Sequence, residues 1–291
     1  MPTLTTSRTA PAPGSWTGYA PIDAGLSEQF RAALDDLREG LRRWRSWSYL
    51  AVEEMKNRYR RTVLGPWWLT IQMGIFVTGI SLVFGSVLNE PIKEFLPYLA
   101  LGYMSFLLLS GIVRASAGVF LRGSATLKST RQPLSGLVLR DITIEFIQFG
   151  HNLLLYVPLL IAGLVPLSPK MLIALPIIAL IAVNGLFCGL WLGMAVARFR
   201  DLEPLINAIL GVAIFFSPVL FQLGDVSSGI RSYVLSWNPF TFLISAFRAP
   251  LLDAPLTTSY YVGSAIVTLV NVVLGLIVFT RMRSRLPYWV A

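Results

Sequence analysis

A single cysteine, Cys188, and a single histidine, His151, stand among the 291 residues. One cysteine excludes an intrachain disulfide and a thiolate metal site, and one histidine cannot supply the paired imidazoles of a metalloprotease. No glycine precedes a lysine, so the phosphate-binding P-loop is missing. No two glycines are separated by one residue, so the dinucleotide fingerprint is missing as well. Charge is also scarce. Only 13% of residues are charged against 55% hydrophobic, with a mean hydropathy of +0.65, which does not suit a soluble domain of this length. Lipid is therefore the expected solvent. Acidic residues are absent from the middle of every long apolar run, which argues against a proton- or sodium-coupled carrier.

What charge there is carries information by its position. The net +9 comes from basic residues at the ends of apolar runs, not from a stripe with interleaved aromatics, so it points to topology and not to nucleic acid. Residues 1–25 are Thr-, Ser-, Pro- and Gly-rich and read as a flexible tail. Between Ser27 and Met55 the apolar residues Phe30, Ala33, Leu37, Leu41, Trp44, Ala51 and Met55 recur at helical spacing, with Arg31, Asp35, Arg38, Arg42 and Arg45 on other faces. This places an amphipathic interface helix within 26–66, lying in the headgroup plane.

Apolar runs long enough to cross the hydrocarbon are expected at about 67–88, 95–118, 141–167, 171–197, 204–224 and 260–280. Arg114 falls near the inner end of the second, where it snorkels or faces protein. Nineteen Lys and Arg residues lie on one side of these runs and four in the opposite loops, so both termini are expected in the cytoplasm with an even number of spans. The remaining apolar segment, 227–252, contains Asn238, Pro239 and Arg248 and reads as re-entrant. The expected fold class is an all-α membrane protein with six transmembrane helices, an N-terminal interface helix, a re-entrant extracytoplasmic gate segment and a short C-terminal tail, 286–291. Gly185, Gly189 and Gly193 form a flat strip that fits either packing within the protomer or a dimer seam. His151 reads as a packing residue, and Asp141 and Glu145 as interfacial or salt-bridged.

Tyr49-Leu50-Ala51, then Lys56-Asn57-Arg58-Tyr59-Arg60-Arg61-Thr62-Val63-Leu64-Gly65-Pro66-Trp67-Trp68, resembles the approach to the first span of ABC-2 polysaccharide-export permeases. The likeness continues through Arg198-Phe199-Arg200-Asp201-Leu202, Phe216-Ser217-Pro218-Val219-Leu220, Asn238-Pro239-Phe240 and Ala246-Phe247-Arg248. The resemblance implies a transmembrane domain over 67–285 that pairs with a second copy and with two separate ATP-binding cassette subunits. Those subunits would carry ATP and Mg, and this chain no cofactor, metal or catalytic residue. It further implies a bacterial cytoplasmic (inner) membrane location and a cargo that is a polyprenyl-diphosphate-linked polysaccharide such as O-antigen, capsule or teichoic acid.

Such a cargo needs cations for its diphosphate and flat apolar faces for its sugars. Arg58, Arg60 and Arg61 are the candidates for the diphosphate, since guanidinium forks bind phosphate oxygens in pairs; contact with anionic lipid is the alternative. Trp68, Phe76, Phe84, Tyr103, Phe106, Phe215 and Phe216 are candidates to line the path, against a role as interfacial anchors. Ser124, Leu127, Lys128, Ser129, Arg131 and Pro133 would form the coupling helix that meets the ATPase, and Asn238, Pro239 and Arg248 the gate. Three other readings compete: an ABC-2 permease for a drug or another lipid, a membrane-embedded glycan- or lipid-processing enzyme, and a non-enzymatic scaffold, which the re-entrant segment disfavours. The second would need clustered carboxylates such as Asp141, Glu145, Asp201 and Glu203.

Overall fold

The computed structural model describes residues 25–88, 91–129, 132–221, 235 and 237–290, and these are built of helices and connecting turns with no strand among them. The helices are α1 (Leu26–Arg42), α2 (Trp44–Arg58), α3 (Trp67–Leu88), α4 (Ile92–Arg122), α5 (Ser124–Ser129), α6 (Leu134–Leu153) and α7 (Tyr156–Ile161). They continue with α8 (Ala174–Arg198), α9 (Leu202–Ala213), α10 (Pro239–Leu251), α11 (Thr258–Met282) and α12 (Leu286–Trp289). Five stretches are long and apolar enough to cross a membrane: Trp67–Val87, Ile92–Arg122, Leu134–Ile161, Pro169–Arg198 and Thr258–Trp289. α4 is the central one, enclosed by α3, α6, α8, α9 and α10.

The sixth expected span differs. In place of one helix over 204–224 there is α9, a 3-10 turn over Ile214–Phe216, and then extended backbone at Ser217 (φ −122°, ψ 150°). Pro218 is the cause: it lacks an N–H and pushes the residue before it out of the helical region. The carbonyls freed by the break are bonded. Arg248 Nη1 donates to Pro218 O at 2.7 Å, Tyr98 Oη to Phe221 O at 2.9 Å and Asn238 Nδ2 to Phe216 O at 2.6 Å. Val219, next in line, is fully buried. α10 starts at Pro239 beside Ile112 of α4, Asn184 of α8 and Val270 of α11, near their middles. It ends at the non-basic end of the bundle, beside Tyr98, Leu164 and Tyr260. Of the segment expected at 227–252, residues 227–234 and 236 lie outside the described residues.

The single interface helix expected within 26–66 is broken at Arg43 (φ −83°, ψ 30°) into α1 and α2. α1 does more than lie on lipid. While Phe30, Leu41 and Trp44 are exposed, the Ala33, Asp36 and Gly40 face is buried against α6. Asp36 is fully buried and caps α6: Oδ2 accepts from Leu134 N and Oδ1 from Ser135 N, both at 3.0 Å. Arg283, at the end of α11, reaches the same carboxylate at 3.1 Å. Gly40 is required here, because a Cβ would collide with Ser135 Oγ.

The Gly185, Gly189 and Gly193 strip is filled from inside the protomer. A Cβ would lie 3.2 Å from Ile112 and Ile142 at Gly185 and 2.6 Å from Val119 at Gly193, and it would strike Val138 at Gly189. The close approach of α8 to α4 and α6 leaves no dimer seam on this face. On another face, α8 and α11 share a polar ladder. Asn184 Nδ2 donates to Thr268 Oγ1 at 2.6 Å, and Asn271 links Asn184 to Trp191 Nε1. The His151 ring bonds within its own helix, with Nδ1 2.8 Å from Ile147 O, while its carbonyl accepts from Thr70 Oγ1 of α3 at 2.6 Å.

Candidate functional site

A cavity of about 690 Å³ forms a wedge between α3 and the antiparallel pair α4 and α6, bordered at the basic end of the bundle by Glu54 and Arg58 of α2. Each wall is one helical face. On α6, Asp141, Glu145, Gln148 and Asn152 fall at spacings of three and four residues, so an otherwise apolar helix turns one polar stripe inward. On α4, Tyr103, Leu107, Gly111, Arg114 and Arg122 line the facing wall along one side of the helix.

Charges are balanced along the wedge. At the basic end Asp141 is held by two arginines, Arg122 Nη2 at 2.9 Å and Arg140 Nη2 at 2.6 Å. Arg140 also approaches Glu54 at 3.9 Å, and Arg58 approaches Glu54 at 3.7 Å, so α2 is stitched to α6 through a carboxylate shared by two guanidiniums. Further in, Arg114 and Glu145 line the wall, with Gln72 and Gln148 beyond. The deep part is aromatic: Phe76 of α3 and Tyr103 of α4 stack with ring centroids 4.4 Å apart at 22°. Phe149 of α6 adds an apolar edge and packs edge-on to Phe247 of α10 at 5.6 Å. Cations at the mouth and stacked rings above suit a ligand with an anionic head and flat, weakly polar faces. No group of three or more metal-ligating side chains occurs among the described residues.

The candidates named from the sequence separate on this geometry. Arg58 lines the cavity. Arg60 and Arg61 stand in the turn between α2 and α3, exposed and outside it, and Arg61 takes a left-handed backbone conformation at φ 69°. Phe76 and Tyr103 line the cavity, whereas Phe106 is buried edge-on to Phe240 and Phe84 packs partly buried against the main core. Trp68, Phe215 and Phe216 are exposed on the outside of the bundle. Ser124, Leu127, Lys128 and Ser129 form α5, Pro133 is the residue before α6, and Arg131 lies outside the described residues. Asn238 caps α10 by accepting from Phe240 N at 2.9 Å, with Pro239 at the first helical position. Arg248 is buried with its guanidinium 3.6 Å from the Tyr98 ring centroid.

Sequence reasoning passed over Glu54, Arg122, Gln148 and Phe149, and it set Arg114, Asp141 and Glu145 too near a helix end. α4 runs on to Arg122 and α6 begins at Leu134, so Arg114 and Glu145 sit inside long apolar helices. The expectation that acidic residues are absent from the middle of every span is corrected by Glu145, which lies well inside Leu134–Ile161. The spacing of Asp141, Glu145, Gln148 and Asn152 was the available signal.

The sequence pattern of the ABC-2 type transporter family matches residues 45–252. The chain belongs to that family. This ABC-2 protein is a multi-pass membrane protein, and the matched stretch holds the whole cavity and α10. It is 23% identical over 240 residues to the O-antigen export system permease protein RfbA of Klebsiella pneumoniae, covering 80% of this chain and 90% of that protein. It is 25% identical over 203 residues to the O-antigen export system permease protein RfbA of Myxococcus xanthus, covering 69% of this chain and 77% of that protein.

Proposed function

We propose that this ABC-2 chain is the permease subunit of an exporter that moves a lipid-linked polysaccharide out across the cytoplasmic membrane. It works as a homodimer driven by two separate ATP-binding cassette subunits that bind ATP and Mg. The observation that carries this reading is the wedge between α3, α4 and α6, which combines arginines at its mouth with the stacked Phe76 and Tyr103. The polyprenyl chain stays in lipid, the diphosphate meets the guanidiniums, and sugar C–H faces pass over rings that demand no single pattern of hydroxyls. The similarity to O-antigen export permeases supports a glycan over a drug.

The Asp36–Arg283 contact supports an even number of crossings, because it brings the N-terminal helix and the end of α11 to one end of the bundle. The sixth crossing is then α9 with its continuation to Phe221. The basic excess puts the shared end in the cytoplasm. There α5, six residues lying just ahead of the Asp36-capped start of α6, is the coupling helix, passing ATPase closure to α1 and α6 as a rigid body. At the other end α10, capped by Asn238 and fastened by Arg248, is the re-entrant gate.

Arg58→Glu tests the mouth. It reverses a charge that faces the cavity and pairs only weakly with Glu54. Surface polysaccharide is expected to fall about tenfold or more, the loss of a charge-assisted phosphate contact. The amount of permease in the membrane should stay unchanged. Export at the original level would contradict the assignment.

A further inference from the structure

Arg114 has no role in the reading so far. It lies inside α4, roughly 12 Å along the helix axis from Arg122 at its end, and is exposed to the cavity. Among the described residues it makes no ion pair within 4.0 Å, and its one hydrogen bond runs from Nε to Asn207 Oδ1 of α9 at 3.2 Å. Arg122 and Arg140, nearer the basic end, are both engaged by Asp141. A guanidinium set inside a long apolar helix, facing a cavity and with no carboxylate within salt-bridge distance, is costly to keep unless an anion visits it.

Glu145 stands on the facing wall. Its carboxylate lies directly over Gly111, where a Cβ would collide with it, so a glycine of α4 makes the space the carboxylate occupies. It lines the same cavity as Gln148, Arg58 and Arg114. A carboxylate and a phosphate present similar oxygen pairs to a guanidinium, so a side chain placed between two arginines can stand in for a ligand phosphate when none is bound.

We propose that Arg114 is an intramembrane anion station for the diphosphate of a polyprenyl-linked cargo, reached after Arg58 at the mouth. Glu145 is the internal counter-charge that the diphosphate must displace. This rests on the lipid-linked glycan reading and assigns its head group a place. Displacement also confers selectivity: a diphosphate outcompetes the carboxylate for the two cations, whereas the singly charged phosphodiester of an ordinary phospholipid gains little over it.

The full-length chain, reconstituted in zwitterionic nanodiscs, is titrated with a polyprenyl diphosphate and, separately, with the uncharged polyprenol. Arg114→Gln is expected to weaken diphosphate binding about tenfold or more while leaving polyprenol binding alone. Glu145→Gln, which removes the competing charge, is expected to tighten diphosphate binding, so the station is tested even if Arg114→Gln fails to fold. Unchanged diphosphate affinity in either variant overturns the station. Competition by phosphatidylglycerol as effective as by the polyprenyl diphosphate overturns its selectivity for the cargo head group. If the unaltered chain binds the polyprenol but not the diphosphate, the lipid-linked glycan reading itself falls, an outcome distinct from the failure of Arg114 alone.

Discussion

Asp36→Ala is expected to destabilise the folded protein by about 3–5 kcal/mol, the largest stability effect of any single side chain on the basic end. The carboxylate is fully buried and answers four groups at once: the N–H of Leu134, the N–H and the hydroxyl of Ser135, and the Arg283 guanidinium. Its removal uncaps α6 and takes away an acid paired with Arg283, which is only 1% exposed. Asp36→Asn should lose less, since the amide oxygen still accepts one N–H. Asp36→Leu combined with Arg283→Met should recover part of the loss, because apolar groups of similar volume avoid the desolvation cost. Thermal unfolding of the detergent-purified protein measures all three. An Asp36→Ala protein that melts with the original would show that α1 is held by its apolar contacts alone.

Arg248→Ala is expected to leave folding largely intact but to open a leak. Arg248 holds Pro218 O at 2.7 Å and sits 3.6 Å from the ring centroid of Tyr98, whose hydroxyl holds Phe221 O at 2.9 Å. One planar cation thus fixes the irregular stretch after α9 to α4 and α10. With the guanidinium gone, Pro218 O keeps only the long 3.5 Å contact from Tyr98 Oη inside an apolar bundle, where a poorly satisfied carbonyl is costly and draws in water. Ion conductance of the ATP-free complex in planar bilayers should rise about tenfold or more, as the gain of water in a closed path implies. Arg248→Lys should leak less, keeping the charge without the planar guanidinium. Conductance equal to that of the unaltered complex would remove α10 from the gate.

The five long apolar helices were legible because length and hydropathy suffice for them. The sixth was not, because the window that found it averages over Pro218, a single residue that ends a helix. Ser217-Pro218 carried the signal, and Asn238-Pro239 carried the start of α10. On α1, periodicity found Ala33, which is buried, with Phe30 and Leu41, which are exposed, and missed Asp36, whose partners Leu134, Ser135 and Arg283 lie far along the chain. A buried carboxylate on an amphipathic helix looks like a solvated one until its partners are placed. The same limit applies at the cavity. Arg58 and the Phe76 and Tyr103 pair could be named from residue type, but Arg114 and Glu145 face each other only because α4 and α6 run antiparallel with Gly111 between them. Arg60 and Arg61 share Arg58's chemistry and fall outside because α2 ends at Arg58.

The central claim is that this ABC-2 protein carries a lipid-linked glycan outward, and the location of the polymer in cells lacking the chain tests it most directly. Surface polysaccharide and polyprenyl-diphosphate-linked polymer on the cytoplasmic side are measured together, with the intact chain restored as control. Loss of surface polymer with build-up of the linked polymer inside, both reversed on restoration, is the predicted result. Undiminished surface polymer in cells without the chain would contradict the account.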